Sequence, residues 1–98
     1  GLPFTHGRIV EVSGKKVVGW AWSDGLNEEP LNIRVRLNGV VVAEVAASVF
    51  RSQLCYLSPP RGACASFSVN YSAKAGDLLD CEVINTGQVF PAQPIKIQ

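Results

Sequence analysis

Leu31, Ile33, Val35 and Leu37 alternate with Asn32, Arg34 and Arg36, and the run ends in Asn38-Gly39. A period of two describes a strand with one buried and one solvated face. Asn-Gly is the dipeptide best suited to a two-residue hairpin turn, because both central residues must tolerate positive φ. The return strand, Val40 to Ala46, would then set Val41, Ala43 and Val45 on one face and Glu44 on the other. A chain built around such a hairpin needs a second apolar layer to cover its inner face.

That layer is legible on both sides of the hairpin. Upstream, Arg8 to Val12 runs through Ser13-Gly14-Lys15 into Lys16 to Ser23, a second hairpin. It places Val18, Trp20 and Trp22 on one face and the small Val17, Gly19 and Ala21 on the other, where another layer can pack closely. Downstream, Ser48 to Cys55 is irregular, with one helical turn expected around Val49 to Leu54. Cys64 to Tyr71 alternates again, with Phe67, Val69 and Tyr71 inward and Ser66, Ser68 and Asn70 outward. Lys74 to Asp77 and Thr86-Gly87 are turns bounding a strand from Leu78 to Asn85. Pro91 and Pro94 suit a final edge segment that begins at Gln88 to Phe90, since proline donates nothing to a ladder. The expectation is an all-β fold, an antiparallel two-sheet β-sandwich of about seven or eight strands, with no long helix.

Length and charge narrow the function. The 98 residues make a single module, 1–98, and the lack of Met with a Gly-Leu-Pro start points to a piece excised from a larger protein. Nine Lys+Arg against eight Asp+Glu leave a net charge of +1, so no nucleic-acid partner is expected. The longest apolar run, Gly39 to Phe50, is broken by Glu44 and is too short to span a bilayer, so no membrane insertion is expected. No signal peptide is read near Arg8.

Catalytic and cofactor chemistry find little footing. His6 is the one histidine, and near the N-terminus it reads as a solvated side chain rather than a base beside a nucleophile. Asp77, Asp80 and Glu82 read as solvated charges. Cys55, Cys64 and Cys81 lack the short Cys-x-x-Cys spacing of a zinc knuckle. Asp24, Asn27, Glu28 and Glu29 form an oxygen-rich loop, too thin for the six to eight ligands of calcium. No cofactor or metal is expected, and no enzyme. A Cys55–Cys64 bridge is open to the chain in an oxidising compartment, and Cys81, between Leu79 and Val83, reads as a small buried hydrophobe.

The run Val18-Gly19-Trp20-Ala21-Trp22-Ser23-Asp24, a proline a few residues on, and Val35-Arg36-Leu37-Asn38-Gly39 resemble the GWAxD…P…DG pattern of bacterial Ig-like β-sandwich accessory modules. Ala47 to Leu54, Gly62 with Phe67, Ala75-Gly76-Asp77 and Thr86-Gly87 extend the resemblance over nearly the whole chain. Gln53 stands where the pattern has Asp, and Ala65 or Ser66 where it has Gly. Such modules are appended to glycosyltransferases, cell-wall hydrolases and surface proteins. The resemblance implies an Ig-like fold, a cell-surface or secreted setting, and an accessory role.

Surface recognition is the function left, and two readings stay open. In the first, a non-catalytic module recognises carbohydrate. Trp22, if it reaches the rim, stacks on a pyranose; Arg34 and Arg36, outward beside Asn32 and Asn38, fork to hydroxyls or carboxylates; Tyr56, on the Pro59-Pro60 loop, is a second exposed aromatic. In the second, the chain is a structural spacer or a protein-interaction domain that offers an exposed sheet edge. The competing assignments are that both indoles are core, that the arginines merely keep a strand polar, and that Tyr56 staples its own loop.

Overall fold

The computed structural model describes residues 5–23, 29–57, 63–90 and 94–98. Among the described residues, eight strands form two antiparallel four-stranded sheets. They are β1 (Thr5–Val12), β2 (Lys16–Ser23), β3 (Asn32–Leu37), β4 (Val40–Ala46), β5 (Val49–Phe50), β6 (Cys64–Asn70), β7 (Leu78–Val83) and β8 (Ile95–Lys96). Sheet 1 has the order β1-β2-β6-β5 and sheet 2 the order β4-β3-β7-β8. A 3₁₀ segment, Ser52–Leu57, replaces the helical turn expected from Val49; Val49 and Phe50 pair with β6 instead. The β-sandwich read from the sequence is the fold.

Both hairpins form at the expected turns. Asn38 and Gly39 take φ of 53° and 80°, with Leu37 opposite Val40. Asn38 also ties this turn to the start of β7: its Oδ1 accepts from the Leu78 N–H at 2.9 Å, and its own N–H donates to the Leu78 carbonyl at 2.7 Å. In the other hairpin, the Ser13 hydroxyl accepts from the N–H groups of Lys15 and Lys16. Tyr71 packs against the core as expected, and its hydroxyl latches the end of β6 to that turn, 2.7 Å from the Ser13 carbonyl and 2.9 Å from that of Lys16.

The main core lies between the sheets. Sheet 1 contributes Val17, Ala21, Phe67 and Val69, and sheet 2 contributes Ile33, Val35, Leu79, Cys81 and Val83. The small face of β2 is therefore the one that meets the second layer. Gly19 makes room there for Phe67 of the neighbouring strand β6, since a Cβ at this position would sit 2.8 Å from both the Arg8 carbonyl oxygen and Cζ of Phe67. Phe67 in turn meets Phe90 edge-on, with centroids 5.8 Å apart, a favoured geometry for aromatic pairs.

The edges depart from simple alternation. On β4 the register shifts between Val35↔Ala43 and Arg36↔Val41, so Val42 is an extra residue. A bulge turns the strand locally, and Val41, expected inward, is exposed while Ala43 and Val45 keep their half-buried places. A second shift falls between Ile9 and Glu11 on β1. β7 ends at Val83 rather than Asn85, because residues 84–86 turn. Val89 makes only an isolated bridge to Glu82, and the last edge strand is β8, just after Pro94; Pro91 lies outside the described residues.

Gly19→Ala is expected to lower stability by about 1–3 kcal/mol, because the added methyl meets backbone as well as a ring that has nowhere to go. A urea midpoint measured at neutral pH checks this, and an unchanged midpoint would contradict the close packing described.

Candidate functional site

The four residues singled out from the sequence do not converge. Arg34 and Arg36 lie on the outer face of sheet 2, Trp22 on the outer face of sheet 1, and Tyr56 on the 3₁₀ segment, 92% exposed. The prolines proposed to staple Tyr56 lie outside the described residues, as do Asp24, Asn27 and Glu28 of the oxygen-rich loop. Among the described residues no group of three or more His, Cys, Asp or Glu could hold a metal ion, and no helix is long and apolar enough to cross a membrane.

The arginines are outward, as alternation requires, but they are engaged by their own chain. Antiparallel register sets Arg34 between Glu44 on β4 and Glu82 on β7, and Arg36 opposite Asp80. Arg34 donates to Glu44 at 2.6 Å and to Glu82 at 3.0 Å; Arg36 donates to Glu82 at 2.6 Å and to Asp80 at 3.1 Å. Asp80 and Glu82 are thus ion-pair partners rather than solvated charges. Two cations face three carboxylates. The hydrogen bond from Arg36, with the charges of both guanidiniums, holds the Glu82 carboxyl below its ordinary range. A guanidinium forked onto its neighbours has few donors left for a sugar.

Trp22 does not reach the rim. It is 5% exposed and belongs to a satellite cluster with Leu54, Ala63 and Ala65, outside the main core. The 3₁₀ segment supplies Leu54 as its lid, and the Arg51 N–H donates to the Ala63 carbonyl at 3.1 Å to close the loop. Ala63 takes a left-handed φ of 71°, an uncommon state for a residue with a Cβ. Trp20, the indole read as core, is the more exposed of the two and only packs against this cluster.

The rings form a stack. His6 lies 5.3 Å from Trp22 and Trp22 4.9 Å from Trp20, at interplanar angles of 27° and 24°. His6 is therefore a packed ring rather than a solvated one. Register explains the grouping: His6 is opposite Trp22, Arg8 is opposite Trp20, and cross-strand partners share a face. On the other flank Ser66 pairs with Trp20 and Ser68 with Val18. Ser66, expected outward in solvent, is buried and donates its hydroxyl to the Gly19 carbonyl at 2.9 Å. Arg8, Ser68 and Asn70 are exposed. The surface gathered here is an indole with a guanidinium opposite it and a hydroxyl diagonally across, and the Asn70 amide lies further along, opposite Lys16. An unbroken count from the Ser13–Lys15 turn would set Ile9 and Gly7 opposite the two tryptophans; the extra residue at Val10 shifts the register and brings Arg8 and His6 there instead.

The thiols are not cross-linked: Cys55 is exposed, Cys64 half-buried and Cys81 buried, and no disulfide joins them. Burial, with Asp80 nearby, pushes the Cys81 thiol up to about 12, so it stays protonated and inert at neutral pH.

Two outcomes follow from these environments. A carboxyl whose folded-state pKa is lowered stabilises the fold above its unfolded pKa and loses that contribution as pH falls through the folded value. Urea midpoints are therefore expected to drop on acidification below about 4.5, the ordinary value for Glu82, and Glu82→Gln to flatten that drop while lowering the midpoint at neutral pH. A thiol reagent is expected to modify Cys55 quickly in the native protein and Cys81 only on unfolding; peptide mapping of the labelled sites reads this directly.

No protein-family model, curated protein or solved structure matches the chain.

Proposed function

We propose that the chain is a non-catalytic accessory module that recognises carbohydrate through the outer face of sheet 1, around Trp20. The observation that carries this reading is the half-buried Trp20 ring at one end of the His6–Trp22–Trp20 stack. Trp22 occupies one side of that ring, and the next residue of the same strand face on its other side is Val18. A sugar has an apolar ring face and a rim of hydroxyls. An indole wall over a valine floor suits the first, and the side chains of Arg8, Ser68 and Asn70 suit the second. Rigid strands hold all of them, which favours binding without a large ordering cost.

The Ig-like part of the reading draws support from connectivity. The order β1-β2-β6-β5 facing β4-β3-β7-β8 follows the A-B-E-D and C′-C-F-G arrangement of immunoglobulin-type sandwiches, without the inter-sheet disulfide of antibody domains. The second reading, a spacer or protein-interaction domain, is favoured by a different observation. Val40, Val41 and Val42 are exposed on the edge strand β4, and an apolar edge is a template for a strand from another chain.

A glycan array probed with the isolated protein, followed by titration of the hits by tryptophan fluorescence, tests the proposal. Trp20→Ala is expected to weaken binding about tenfold or more, a stacking loss of about 1–3 kcal/mol. Trp22→Ala is expected instead to destabilise the fold by about 3–5 kcal/mol. Binding that survives Trp20→Ala, or no binding to any glycan, would overturn the reading.

A further inference from the structure

The two outer faces of the sandwich use their guanidinium groups in opposite ways. On sheet 2, both arginines are consumed by Glu44, Asp80 and Glu82, and the cluster keeps one negative charge in surplus. Lys96, opposite Leu78 on the same face, offsets that surplus, so the face offers no net positive charge to an anion. On sheet 1, Arg8 is exposed and directly opposite Trp20, and it makes no ion pair or side-chain hydrogen bond with any described residue. The nearest carboxylate along that strand face, Glu11, is held by Lys16 at 3.2 Å. The charged groups of this face are then Arg8 and Lys16 against Glu11, a surplus of one positive charge.

Resting on the carbohydrate reading above, we propose that the sugar taken at Trp20 is an acidic one, a glycan whose residues carry a carboxylate of the uronic or sialic type. Its ring stacks on the indole and its carboxylate is forked by Arg8. Cross-strand partners have their Cβ atoms about 5 Å apart, so one monosaccharide reaches both groups. The planar guanidinium matches a carboxylate with two parallel hydrogen bonds, and such charge-assisted pairs are the strong ones. Ser68 and Asn70, on the opposite flank of β2, are placed for the hydroxyls of the same or the next sugar. An uncommitted arginine beside an indole is what separates this surface from the self-neutralised one on the far side.

The test is a panel of oligosaccharide pairs, each uronate- or sialate-bearing member matched by its neutral methyl ester, with a sulfated oligosaccharide as a third arm. Each is titrated against the full chain, Arg8→Gln and Arg8→Lys. The wild-type chain is expected to favour the acidic member of a pair by roughly 10-fold or more at low salt, and the preference to shrink as salt rises. Arg8→Gln is expected to abolish the preference, so that both members of a pair bind alike, and Arg8→Lys to restore only part of it. Equal binding of both members overturns the acidic assignment and leaves the carbohydrate reading standing. Preference for the sulfated arm over every carboxylate overturns it too, and so does an acidic preference that persists in Arg8→Gln. No binding by any arm overturns both proposals. Arg8 is exposed, so a circular dichroism spectrum matching wild type is the expected control for both variants.

Discussion

The approach of Phe67 to the backbone at Gly19 is the contact on which the rest of the sandwich depends. A strand that reads Val17, Gly19, Ala21 on one side and Val18, Trp20, Trp22 on the other cannot present both sides to the same core. The small side lets the second sheet close down, with Phe67 filling the space a side chain at Gly19 would have taken. Close packing at interior density favours that choice. The indoles are then forced onto the outer face, where they must find cover of their own or remain wet.

That cover is unevenly supplied, and the unevenness makes a surface with character. Leu54 and Ala63 close over Trp22 but leave Trp20 partly open. A buried ring thereby positions an accessible one, since Trp22 is wedged between His6 and Trp20. On the opposite sheet, polar residues that look alike in composition are spent on each other. Arg34 and Arg36 reach Glu44, Asp80 and Glu82 across three adjacent strands, a network whose members are mutually oriented by the ladder beneath them. Exposed ion pairs of this kind contribute little stability each; their larger effect is to remove two guanidiniums from the set available to a ligand.

The strands and both hairpins were legible because their signals are local. Alternation from Leu31 to Leu37 and the Asn38-Gly39 pair need no knowledge of distant residues, and the same holds for the turn at Ser13. What escaped depends on register between segments far apart in the chain. Glu82 lies 48 residues from Arg34, so nothing near either one announces the pair. The bulge at Val42 is a property of two strands together, and it undid the expectation that Val41 faces inward. The lid over Trp22 comes from a segment with no periodicity, so nothing local announced that Trp22 would be the covered indole and Trp20 the more open one. Of the four site residues read from the sequence, Tyr56 is the one that reaches solvent without a partner among the described residues. His6 and Arg8 escaped for the same reason: the extra residue at Val10 shifts the first hairpin's register, and without it Gly7 and Ile9 would lie opposite the tryptophans.

A net charge of +1 makes the chain look electrically featureless, yet its described charges are sorted by side. One broad side of the slab has a surplus cation, while on the other Arg34, Arg36 and Lys96 balance Glu44, Asp80 and Glu82, so the unbalanced charge sits on a single side. Near a charged polymer or a charged wall such a body does not tumble freely. It meets the surface with the same side each time, until ions within a Debye length of about 10 Å screen the field.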